Sequence, residues 1–284
     1  MPFSQAIIQS PGFPPFPSTY AQEQLLQDFL ALANVSSIEE ARQLPTEDLI
    51  RANIFQVSGS FYGDFTYQPV VDGDFSPALP GQLLLNGQFD HSVGVLNGHN
   101  TLEGLAFTNP NAQNTPNYET LITNLMPNIK PEVLSLITDT LYPPNFNGSY
   151  GYTSQFERAV LTISEFCFTC NNFFLNTAYG NDTFAYLFSV PSGLHGQDIL
   201  YTFYDDGGLS NDYLKMENVT TALALQEMLV SFVQIGTPQA PSGFTFPRYG
   251  LNATLFNFNK TEFGTVRDPA ANERCRFWQK GIYN

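Results

Sequence analysis

A chain of 284 residues, 43% of them hydrophobic, has enough apolar mass for a substantial core in one large domain or two modest ones. Its formal charge is −15 and it holds only 11 Lys and Arg, scattered along the chain, which excludes a basic stripe for nucleic acid or an anionic membrane surface. Aromatic residues make up 14% and charged residues 13%, a globular rather than a disordered composition.

In chain order, "SQAIIQS" (4–10) reads as a short strand halted by the Pro/Gly-rich "PGFPPFP" (11–17). Residues 19–33 then place Leu25, Leu26, Phe29, Leu30 and Ala33 at helical spacing. Two shorter helices are predicted over 36–44, with Ser36 and Glu39 at capping-box spacing, and over 45–53, with Pro45 at its start. Residues 56–90 read as loop. A strand is predicted over 91–100, ending on Gly98, and two modest helices over 117–141. Residues 154–180 form one long predicted helix ending at Gly180, followed by a strand over 182–190. A helix over 217–236 stops at Gly236 and Pro238, 253–259 reads as the last strand, and 268–283 closes as a helix with Pro269 near its start. Apolar strands separated by long helices predict an α/β fold with a mostly parallel sheet and flanking helices. Function in such sheets gathers in loops at the carboxyl ends of strands. Two of those loops, "NGHNTLEG" and "SGLHGQD", carry chemistry-bearing residues.

Glu103 and His195 lie on these two loops. A carboxylate can fix an imidazole's tautomer while the other ring nitrogen takes a nucleophile's proton. Ser10, Glu103 and His195 follow the chain order of an α/β-hydrolase triad, but Ser10 is a poor nucleophile. Pro11 follows it and has no N–H to donate to an oxyanion, and Ile8 stands where the elbow's first glycine belongs. Ser10 is therefore expected to be a polar residue at a buried strand end. No serine lies in a G-x-S-x-G elbow, and no nucleotide-binding glycine motif is present. His91 is expected on the surface. His99 stands four residues before Glu103, metal-ligand spacing only if the segment is helical, and no third ligand follows. Cys167-x-x-Cys170 lacks the second pair of a zinc site, so a disulfide from Cys275 to one of these two is the stronger expectation. Sequons at Asn34, Asn147, Asn181, Asn218, Asn252 and Asn259, with the acidity and few lysines, predict a secreted glycoprotein. No signal peptide opens the chain and no run reaches the ~18 apolar residues of a membrane span.

Several segments in order resemble one family. "PFSQAIIQSPG", "PVVDGDFSPALPGQLLLNGQF", "GHNTLEGLAF", "HGQDILYTF", "FVQIGTP" and "FPRYG" are similar to consecutive markers of the C-terminal half of type-B carboxylesterases, the α/β-hydrolases that include cholinesterases and fungal lipases. The resemblance implies that residues 1–284 are the C-terminal portion of one catalytic domain, with Glu103 as triad acid and His195 as base. It places the family's nucleophile elbow, oxyanion loop and first strands upstream of this chain. It also implies a Cys170–Cys275 disulfide, which leaves Cys167 free. Asp198 stands where many members have Glu, and Phe246 where they have Trp. The expected function is ester hydrolysis of a small-molecule or lipid ester, with no cofactor and no metal. The chain would be inactive alone and would need an N-terminal half chain as partner. The alternative is a non-catalytic, cholinesterase-like binding protein.

Overall fold

The computed structural model describes residues 3–13, 19–205, 216 and 218–283. Residues 14–18 of the expected Pro/Gly turn and residue 217 at the expected start of a helix lie outside them. β1 (Gln5–Gln9) leads through α1 (Thr19–Leu32), α2 (Ile38–Ala41), α3 (Thr46–Gly59) and α4 (Pro80–Leu85) to β2 (Gly94–Asn100). α5 (Thr115–Leu125), α6 (Pro131–Ser135), α7 (Gln155–Ser164) and α8 (Cys170–Ala178) separate β2 from β3 (Phe184–Phe188). α9 (Gln197–Thr202) and α10 (Val219–Ile235) precede β4 (Thr254–Phe258), β5 (Phe263–Arg267) and α11 (Glu273–Gln279).

The strands lie in the order β1-β2-β3-β4-β5, with the first four parallel and β5 antiparallel to β4. Parallel neighbours require long crossovers, and the helices supply them. Strand periodicity then divides the core. Ala185, Leu187 and Leu255 face one layer with α5, α7, α8 and α11, whereas Tyr186, Phe188, Phe256 and Phe258 face the other with α9 and α10. Gly98 permits this packing in the sheet: a Cβ there would sit 2.2 Å from the Tyr186 ring. Among the described residues, no strand pairs with the outer edge of β1.

Several expectations shift. The cap of α2 is Ser37, whose hydroxyl accepts from Glu40 N–H, while Glu40 reaches back to Ser36 N–H at 2.8 Å. The sequence offers adjacent serines, and the structure uses the second. α3 runs to Gly59, six residues beyond the expected end, because 54–59 holds no proline to stop it. β2 begins at Gly94 and continues past Gly98 to Asn100, whose N–H and side-chain amide both donate to buried carboxylates. The single long helix over 154–180 is split by a π-helical turn at Glu165–Thr169. Strand 253–259 is not the last. β5 follows as an edge strand whose residues are only half-buried or exposed, so it lacks a long apolar run. Asn272, not Pro269, begins α11; its side chain accepts from Cys275 N–H.

Candidate active site

The peptide after β2 and the loop after β3 are zipped together. Thr101 N–H donates to Phe188 C=O at 3.2 Å and Leu102 N–H to Gly193 C=O at 2.7 Å, so the parallel register runs past the strand ends. Glu103 and His195, each one residue beyond a bridged leucine, therefore arrive side by side. Gly104 lets this loop press onto α7. Its N–H donates to Ser164 Oγ at 2.8 Å, and a Cβ would lie 2.4 Å from Val160 C=O. On the other loop, Gln197 Oε1 accepts from Gly193 N–H at 2.7 Å and Leu194 N–H at 3.2 Å, while its Nε2 donates to Pro191 C=O at 2.9 Å.

Glu103 is completely buried. Its Oε2 accepts from His195 Nδ1 at 2.5 Å; its Oε1 accepts from Asn100 N–H at 2.5 Å and Ser10 Oγ at 2.7 Å. Burial alone would raise this carboxyl's pKa, but the His195 hydrogen bond and charge, with smaller help from His99 and Ser10, leave it below the ordinary glutamate value. Glu103 is thus an anion at neutral pH. An anionic carboxylate can only accept, so Nδ1 is the donor of this contact and Nε2 is the ring atom left for a further partner. The His195 side chain is 30% exposed. Phe168 at 4.5 Å and Phe107 at 5.2 Å pack against the imidazole ring. Phe168 lies in the π-helical turn, the extra-residue distortion often found at functional sites.

Behind this pair lies a second buried carboxylate. Asp198, 1% exposed, accepts from Asn100 Nδ2 at 3.1 Å, Tyr186 OH at 2.9 Å and Gln9 Nε2 at 3.3 Å. Burial raises its pKa despite these donors. Asn100 therefore spans both acids, with its backbone N–H on Glu103 and its side chain on Asp198.

Ser10 adopts φ +48° and gives its hydroxyl to Glu103 rather than to a ring nitrogen. The structure thus makes it a buttress of the acid, in keeping with its expected place at the strand end. Its contact with Glu103, and the parts played by Asn100 and Gln197, left no trace in the sequence. Only the Ser–Pro–Gly turn after β1 hinted at a special position for Ser10. His99 belongs to β2 and not to a helix, which removes the spacing argument for a metal pair with Glu103. Its Nδ1 lies 2.9 Å from Asn100 C=O. Among the described residues, no three His, Cys, Asp or Glu side chains cluster as metal ligands. His91 is exposed.

The sequence model of the carboxylesterase family matches residues 2–278. The chain belongs to that family. It is 35% identical over 282 residues to carboxylesterase patB of Penicillium expansum, covering 98% of this chain and 49% of that protein. It is 32% identical over 280 residues to carboxylesterase patB of Aspergillus clavatus, covering 98% of this chain and 50% of that one. The chain spans about half the length of these curated relatives. The fold is that of the solved esterases. Aspergillus niger EstA superposes with a TM-score of 0.79 at 20% identity, over 98% of this chain and 58% of that one. A thermophilic pNB esterase gives 0.71 at 16% identity, over 97% of this chain and 57% of that one.

This carboxylesterase-family chain carries the disulfide Cys170–Cys275, which ties α8 to α11; Cys167 is a free, buried thiol whose pKa burial pushes up. Arg274 reinforces the same junction through a bidentate pair with Glu165, at 2.6 and 2.7 Å. Among the described residues, no helix is long and apolar enough to cross a membrane.

Proposed function

We propose that this chain is the acid–base half of a secreted serine carboxylesterase. The observation that carries the reading is the 2.5 Å contact between fully buried Glu103 and partly exposed His195. A serine hydroxyl placed at His195 Nε2 would lose its proton to that nitrogen as its oxygen attacks the ester carbonyl. Glu103 would stabilise the resulting imidazolium. The imidazolium would then return the proton to the leaving alcohol, and water would repeat the cycle to release the acid. Phe107 and Phe168 would keep bulk water from the imidazole faces. No organic cofactor or metal takes part in this chemistry.

The serine and its oxyanion donors would come from a segment outside this chain. The edge of β1, which pairs with no strand among the described residues, and the half-length match to the relatives support that reading. Such a segment would extend the sheet beside β1 and complete one catalytic domain of which 1–284 is the C-terminal portion. The disulfide and the exposed sequons at Asn34, Asn147 and Asn252 support a secreted glycoprotein.

Complementation tests the proposal. The purified chain is mixed, or co-expressed, with the first half of Penicillium expansum carboxylesterase patB, and p-nitrophenyl acetate hydrolysis and fluorophosphonate labelling are measured. The chain alone should neither hydrolyse nor label. The mixture should do both, with label on the added half, and His195→Ala should abolish the gain. Labelling of a serine within this chain, or complemented activity indifferent to His195→Ala, would overturn it. No gain in any mixture, with a saturable partner captured instead, would favour a non-catalytic binding role.

A further inference from the structure

A separate cavity lies toward the opposite end of the sheet from Glu103 and His195. The cavity, of about 430 Å³, opens between α4, the loop before β2, α8 and α11. That volume is within the range of small-molecule pockets. Leu84, Phe89 and Phe173 supply apolar walls, and His91, Arg276 and Lys280 supply polar ones. His91 precedes the amino end of β2, whereas Glu103 and His195 follow the carboxyl ends of β2 and β3. The length of a seven-residue strand, roughly 20 Å, therefore separates the two regions.

The chain carries −15 overall, yet two of its 11 Lys and Arg line this one opening and none of its lining residues is Asp or Glu, the nearest acids being Asp90, beside His91, and Glu273, paired with Arg276. Arg276 and Lys280 lie at the C-terminal end of α11, where cations also complement the helix dipole. His91 reaches the cavity from a loop about 185 positions earlier in the chain, where its Nε2 lies 3.3 Å from Gly87 C=O and the Phe89 ring packs at 4.1 Å. Phe89 is itself packed on Tyr179 at 4.7 Å. The Arg276 guanidinium lies over the Phe173 ring at 5.9 Å and pairs with the exposed Glu273, one turn back on its own helix. Among the described residues, the Lys280 ammonium has no carboxylate partner.

We infer that this cavity binds a medium-chain carboxylate, with the alkyl body between Phe89, Leu84 and Phe173 and the carboxylate at Lys280 and Arg276. The apolar walls repay burial of the chain, and the cations select the charged head. A neutral molecule of the same shape gains only the first contribution. A polyanion would meet the general negative charge of the molecule outside this opening. The site is independent of the proposed triad.

Isothermal titration of the full chain with decanoate, and with decanamide as neutral control, tests this. Decanoate should bind at one site per chain and decanamide more weakly. Lys280→Gln with Arg276→Gln should weaken decanoate about tenfold, the scale for losing two partly solvated charge contacts, and leave decanamide unchanged. Ala178→Trp, which fills the cavity, should abolish binding of both. Circular dichroism melts confirm that each variant is folded, and an unfolded Ala178→Trp is replaced by Leu84→Trp. The inference fails if decanoate does not bind, if it binds no better than decanamide, or if the folded cavity-filling variant binds it as before.

Discussion

Removing the Cys170–Cys275 bridge should weaken the whole fold without undocking the helix it holds. The bond closes a loop of 105 residue steps, and the chain-entropy relation gives about 5 kcal/mol for a loop of that length. α11 has other anchors. Arg274 and Asn272 Nδ2 both reach Glu165, and Trp278 Nε1 donates to Tyr142 OH at 2.8 Å. Phe166, Trp278 and Tyr283 form an aromatic cluster with centroids 4.9 to 5.6 Å apart. The native state therefore keeps α11 in place, and the loss falls on the unfolded ensemble, which gains freedom. The test is Cys170→Ala/Cys275→Ala, a double variant that leaves neither partner of the bridge as an unpaired thiol and keeps Cys167 as it is. Urea unfolding followed by tryptophan fluorescence reads both effects, because Trp278 is the only tryptophan and lies in α11. The native emission spectrum should be unchanged, while the unfolding free energy drops by about 3–5 kcal/mol, a large share of any domain's total. A drop below about 1 kcal/mol would refute the entropic reasoning. A red-shifted native spectrum would refute the claim that the other contacts hold α11.

Gln197→Ala should cost about 2 kcal/mol in urea unfolding, because two loop N–H groups lose their acceptor and Pro191 C=O loses its donor. A loss below about 0.5 kcal/mol would sink the clamp assigned to this side chain. Gly104→Ala drives a methyl into the backbone of α7 and should destabilise by about 3 kcal/mol, measured the same way; a neutral effect would show that the loop is not pressed there. The two buried acids set opposite pH trends. Asp198, raised by burial, holds its proton longer in the folded state, so its contribution is fully present below the ordinary aspartate value and is lost as pH rises through the raised one. Glu103, lowered mainly by His195 against its burial, contributes stability above the ordinary glutamate value, lost as pH falls through the lowered one. Asp198→Asn should therefore flatten the decline in stability above about pH 4, and an unchanged slope in urea melts across pH would contradict the assignment. Glycopeptide mass spectrometry of secreted material should find sugar at Asn34, Asn147 and Asn252. Asn218 should be bare, because its side chain caps α10 and donates to Lys260 C=O at 2.7 Å.

The sequence by itself determined the alternation of strands and helices, the two loops that matter and the residues on them. Hydrophobic periodicity and glycine stops are local signals, and the mostly parallel sheet follows from crossovers too long for hairpins. It could not place β5, whose five residues lack a long apolar run, nor detect the π-helical turn, because 154–180 has an unbroken helical composition. It could weigh Ser10 against Pro11 and reject it as a nucleophile, but not find its acceptor. That acceptor lies 93 positions away and is reached only because β1 pairs with β2. Asn100 and Gln197 were silent for the same reason: an amide's role depends on what faces it, and burial decides that. The chain order offered a carboxylate and an imidazole; only tertiary packing determined that Glu103 is dry, anionic and held on three sides, and that His195 beside it stays partly exposed.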